Sequence, residues 1–69
     1  MKRPSYSVES DDAHAYGSIF SLGPVGPFAA RLAILGRFPV QERRFEHFEE
    51  AMLWVNHQIS LYEHEVEAT

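Results

Sequence analysis

Cysteine is absent from the 69 residues. That excludes a disulfide framework and any thiolate zinc site, and it removes the covalent staples on which many domains of this size depend. Long apolar runs are missing as well. The most apolar stretch, residues 23–35, is too short to span a bilayer and is broken by Arg31. Lys2 and Arg3 are followed by polar residues rather than an apolar core. No secretory leader is read there, and the chain is expected to be soluble and cytoplasmic, with no membrane partner. Glycine and proline number four each, too few for a collagen-like or low-complexity chain. From Phe45 to Thr69 there is no lysine or arginine at all.

What remains is the composition of an ordinary globular domain: 45% hydrophobic, 13% aromatic and 23% charged. One small domain, residues 1–69, is expected. It divides into a loose start (1–4), a strand-rich part (5–45), a helix (46–65) and a frayed tail (66–69). The net charge of −4 is unevenly spread. All six basic residues precede Phe45, where they leave an excess of about +2. The rest carries −6, from Glu46, Glu49, Glu50, Glu63, Glu65 and Glu67. Such an acidic half repels a phosphate backbone, so nucleic acid is an unlikely partner.

Residues 5–10 alternate, with Tyr6 and Val8 on one face, and read as a half-buried strand. Asp11 and Asp12 signal a turn. Residues 15–22 are rich in aromatic and branched side chains and read as a second strand, where Gly17 marks a bulge or the close approach of another backbone. Residues 28–35 are ambiguous. Phe28, Ala30, Leu32 and Ile34 share one face of a strand, yet Pro27 and Gly36 would also bracket a short helix. A turn at 36–39 then leads into a return strand, 40–45, which Pro39 confines to an edge or to its own first position. Phe45, Phe48, Met52, Val55, Ile59, Tyr62 and Val66 recur at intervals of three and four, the core stripe of an amphipathic helix. The acids at its carboxyl end oppose the helix dipole, so its last turn is expected to fray. The fold class is therefore α+β: three or four short antiparallel strands with one long carboxyl-terminal amphipathic helix. The alternative is an all-α helical hairpin, dimeric through the same heptad-like spacing.

Little in the sequence supports catalysis, and no enzyme and no cofactor are expected. No serine sits in a Gly-x-Ser-x-Gly elbow, and no Gly-rich loop precedes Lys-Ser or Lys-Thr. His57 and His64 are seven residues apart, too far to share one ion without a third element, so no metal site is expected. On a helical wheel, Trp54, His57, Leu61 and His64 follow at intervals of three, four and three. With Leu53 further round, they form a second ridge away from the core stripe. Tryptophan dominates interface hot spots, so Leu53, Trp54, His57, Leu61 and His64 are the candidate protein-binding residues. Glu46, Glu49 and Glu50 form a possible acidic contact face. Arg37, Arg43 and Arg44 beside Phe38 are the alternative, a small basic and aromatic group for nucleic acid, although internal pairing with Glu42, Glu46 or Glu49 is the commoner fate of such arginines.

Residues 33–55 form a hairpin ending in Phe45, followed by Glu-Glu-Ala and an aromatic. This unit resembles small phage-encoded accessory proteins, including anti-CRISPR inhibitors, and the amino-terminal arm-binding domains of phage integrases. The integrase-like domains are usually basic, which this helix is not. The resemblance implies a viral protein of inhibitor or adaptor type that occupies the surface of a protein partner, and the small core suggests a homodimer.

Overall fold

The computed structural model describes residues 3–67. Four strands, β1 (Tyr6–Glu9), β2 (Ala15–Ser21), β3 (Phe28–Ile34) and β4 (Arg37–Phe45), precede one helix, α1 (Phe48–Glu67). The strands form a single antiparallel sheet in the order β1-β2-β3-β4, and α1 covers one of its faces. The fold is α+β, and residues 28–34 are a strand rather than a helix. Being central, β3 is buried over much of its length, which explains a segment that is apolar almost without interruption.

The register sorts the side chains. Tyr6 lies opposite Ile19, Val8 opposite Gly17, Ile19 opposite Ala30 and Gly17 opposite Leu32. Because successive side chains point to opposite faces, Ala15, Ile19, Ala30 and Leu32 all face α1, where each is buried. They meet Ala51, Val55, Ile59 and Tyr62 of the helix. This is the expected core stripe with two differences. Phe48 and Met52 are only partly buried, and Val66 is 47% exposed. The middle of the stripe, Val55 to Tyr62, is taken up by the sheet.

The helix starts at Phe48 rather than at residue 46, and two other boundaries differ from expectation. The β3–β4 turn is just Leu35 and Gly36, with Gly36 at φ +84°, so β4 starts at Arg37 rather than at residue 40. A positive φ there favours glycine. The register slips between Leu32 and Ile34, near Pro39, and β4 lies on the edge of the sheet, where a proline is tolerated. The helix runs to Glu67, two residues past the expected end at residue 65. Two contacts hold its end despite the unfavourable charges: Arg37 Nη2 meets Glu65 Oε2 at 2.6 Å, and the Asp11 amide donates to Glu63 Oε2 at 3.3 Å. Residues 68–69 of the expected tail, and residues 1–2 of the expected loose start, lie outside the described residues.

Gly17 marks a close approach, but of a side chain rather than of another backbone. A Cβ built on it would sit 2.3 Å from Val55 Cγ1. Here α1 lies close on the sheet.

Candidate functional site

The side chains of α1 divide into four groups. Val55, Ile59 and Tyr62 point into the sheet. Along the β4 side run Trp54, Gln58, Leu61 and Glu65; the last three line a cleft with Leu32, Ile34, Arg37 and Gln41. Asn56 and Glu63 serve the β1 side, where Tyr6 Oη donates to Asn56 Oδ1 at 3.1 Å. The outer surface carries Leu53, His57, Ser60 and His64, all exposed, with Leu53 at 69%.

The ridge read from the wheel is therefore split. Trp54 is half-buried, packs against both core clusters and stands 6.0 Å from the Phe45 ring. A wheel locates it about 100° from Val55, but it cannot show that β4 reaches round that flank of the helix. Leu61 is 46% exposed beside the cleft. Leu53, His57 and His64 remain on the outer face.

Glu46, Glu49 and Glu50 are exposed around the start of α1. Among the described residues none of them has an ion-pair partner, whereas Glu65 is held by Arg37 and Glu42 by Arg31 Nε at 3.1 Å. Glu49 and Glu50 lie in the first helical turn, where the helix dipole favours them.

The three arginines of the basic group are dispersed. Arg37 is engaged by Glu65 at one end of β4. Arg43 and Arg44 pair with Ala30 and Ala29 respectively, so alternation places them on opposite faces of the sheet. Arg43 lies over the Phe45 ring, 5.5 Å from its centroid. The acids expected to neutralise Arg43 and Arg44 do not reach them, because Glu42 turns to its cross-strand neighbour Arg31.

Ser10, Asp12 and His14 come together at the β1–β2 turn. The Asp12 carboxylate is the hub. Ser10 Oγ donates to Oδ1 at 2.5 Å and the His14 amide to the same oxygen at 3.0 Å. Tyr62 Oη donates to Oδ2 at 2.8 Å. These bonds hold Asp12 down at about 2, from an ordinary 3.8, with the Ser10 hydroxyl the largest cause. The same carboxylate raises the pKa of Tyr62, whose hydrogen bond requires the protonated phenol. Ser10 is 3% exposed, gives its proton to Asp12 rather than to an imidazole, and accepts from the Ala15 amide. The hydroxyl is thus a strut within the β1–β2 turn, and Asp12, through Tyr62, ties that turn to α1.

A depressed carboxylate pKa contributes stability above the unfolded value and loses it as the pH falls through the folded one. Asp12→Asn is therefore expected to melt below wild type at pH 5–7. Its deficit should close as the pH drops from about 4 towards 2, since the unfolded chain then binds the proton that folded Asp12 takes up only near 2. Thermal melts across that range check this, and a deficit independent of pH would show that the carboxylate's charge plays no part.

The sheet face opposite α1 is uncovered, and sequence reading gave it no role. Three rows of side chains cross it: Glu9, Tyr16, Ala33 and Val40; then Ser7, Ser18, Arg31 and Glu42; then Phe20, Ala29 and Arg44. Shallow hollows lie on either side of Phe20, floored by Ala29 and by Ala33. A signal was present in β2, whose apolar residues occupy both parities: Ala15 and Ile19 on one, Tyr16 and Phe20 on the other.

Among the described residues, no helix is long and apolar enough to cross a membrane, and no group of three His, Asp or Glu side chains could hold a metal ion. The chain matches no protein-family model, no curated protein and no solved structure.

Proposed function

We propose that this chain is a non-catalytic protein-binding module of inhibitor or adaptor type, which occupies a basic surface of its partner with the acidic start of α1. The observation that carries this reading is the segregation of charge. Glu46, Glu49 and Glu50 are exposed without ion pairs among the described residues, beside an exposed Leu53 and His57. Uncompensated like charges beside an apolar contact steer and orient a protein of opposite charge. The same acids oppose binding to nucleic acid, and the dispersed arginines present no continuous basic track.

Charge reversal tests the reading. Affinity capture from the source cell uses wild type, the triple variant Glu46→Lys, Glu49→Lys, Glu50→Lys, and the control pair Arg43→Ala, Arg44→Ala. A captured protein should bind the acidic triple variant at least about tenfold more weakly, equivalent to about 1.4 kcal/mol, and the arginine variant as well as wild type. Its affinity should also fall with salt. Loss of binding in the arginine variant alone, or micromolar affinity of the pure protein for duplex or single-stranded nucleic acid near 150 mM salt, would overturn it.

A further inference from the structure

The uncovered sheet face can be matched against itself. Its two aromatic side chains, Tyr16 and Phe20, stand on β2, and directly across from them on β3 stand its two alanines, Ala33 and Ala29. A two-fold axis lying in the plane of the face, parallel to the strands and midway between β2 and β3, would lay β2 of one copy over β3 of the other. Tyr16 would then meet the partner copy's Ala33 hollow and Phe20 its Ala29 hollow. Each contact occurs twice, as an isologous interface requires. Large side chains opposite small ones are also how packed layers interdigitate. With the two-fold across the strands instead, Tyr16 meets Phe20 and the alanines meet each other, which leaves a gap.

We infer that this face is where a second copy of the chain docks, giving a two-fold dimer with the sheets inside and both helices outside. Arg31 and Glu42, near the centre of the face, neutralise each other at 3.1 Å. Two further charges on the face, Glu9 on β1 and Arg44 on β4, stand on its edge strands, at the rim of the contact. The acidic start of α1 is left out of the contact. Size sets the strength. Four strands about 4.8 Å apart and about six residues long cover roughly 400 Å² per copy, which is patch-sized but below the roughly 800 Å² per partner of a standard interface. The dimer is thus a weak one, forming at micromolar to millimolar concentration. The edge of β4 is not a competing route. A register slip, Pro39 and three consecutive charged residues, Glu42 to Arg44, blunt it against strand pairing.

Sedimentation equilibrium from about 10 μM to 1 mM tests this on the whole chain. Wild type should approach twice 7.9 kDa. Ala33→Glu, which fills a hollow with charge, should raise the dissociation constant at least tenfold, and Leu53→Glu on the outer helix should leave it unchanged. Tyr16→Lys makes the same test from β2, and circular dichroism melts separate loss of association from loss of fold. Two results would overturn the inference: a wild-type monomer at 1 mM, or association that Leu53→Glu abolishes while folded Ala33→Glu or Tyr16→Lys retains it. Neither result bears on charge reversal at Glu46, Glu49 and Glu50, which tests a different surface.

Discussion

Truncating Trp54 to Ala should cost about 2–4 kcal/mol of stability, somewhat below the range for a fully enclosed tryptophan because one side of the ring stays in water. The indole joins the two halves of the core. It packs on the cluster of Ala15, Leu32, Ile59 and Tyr62, on the cluster of Ile19, Ala30, Ala51 and Val55, and against the Phe45 ring at 6.0 Å. Its loss would leave a gap where β4, otherwise exposed along nearly its whole length, is anchored to the helix. A chain of 69 residues has roughly 3–10 kcal/mol in total, so this variant should be close to unfolded at 37 °C. Ile19→Ala provides the internal scale: Ile19 is fully buried and should lose about 2–5 kcal/mol. Urea melts of both variants decide the matter. If Trp54→Ala stays within about 0.5 kcal/mol of wild type, as a surface substitution would, the indole is a free ridge residue after all.

Adding a single methyl group at Gly17 should also be costly. In a strand, Gly→Ala ordinarily gains about 0.4–1 kcal/mol by restricting the unfolded chain. Here the new Cβ would stand 2.3 Å from Val55 Cγ1. Val55 is fully enclosed, and a β-branched side chain in a helix has essentially one χ1 rotamer, so it cannot swing aside. The helix or the sheet must move, which costs about 1–3 kcal/mol in a packed core. The clash therefore outweighs the entropic gain. Val55→Ala removes the obstructing methyl groups. In that background Gly17→Ala should be near neutral or stabilising, and the double-mutant cycle should show the coupling. Equal costs in both backgrounds would mean that α1 does not lie where the structure has it.

The resemblance to phage accessory proteins rests on the pattern of residues 33–55 alone. The candidate binding residues divide between what a wheel can and cannot show. Leu53, His57 and His64 are outward on the helix by periodicity, and the structure has them exposed. Periodicity also moved Trp54 outward, because a wheel counts angle from the stripe and knows nothing of the width of the sheet beneath.

Local pattern was enough to determine the class of this fold. Alternation wrote β1, aromatic and branched residues wrote β2, Gly36 marked the tight turn, Pro39 put β4 on an edge, and the three-four spacing wrote α1. These signals act over a few residues, where dihedral preference and the period of burial are set by the chain itself. Contacts between distant segments were decided only in three dimensions. Residues 28–34 became a strand because β2 and β4 flank them on both sides. Arg37 and Asp11 held a helix end that its own charges disfavour. Tyr16 and Phe20 were left uncovered because one helix can cover only one face of a four-stranded sheet, and no run of neighbouring residues records which face that will be.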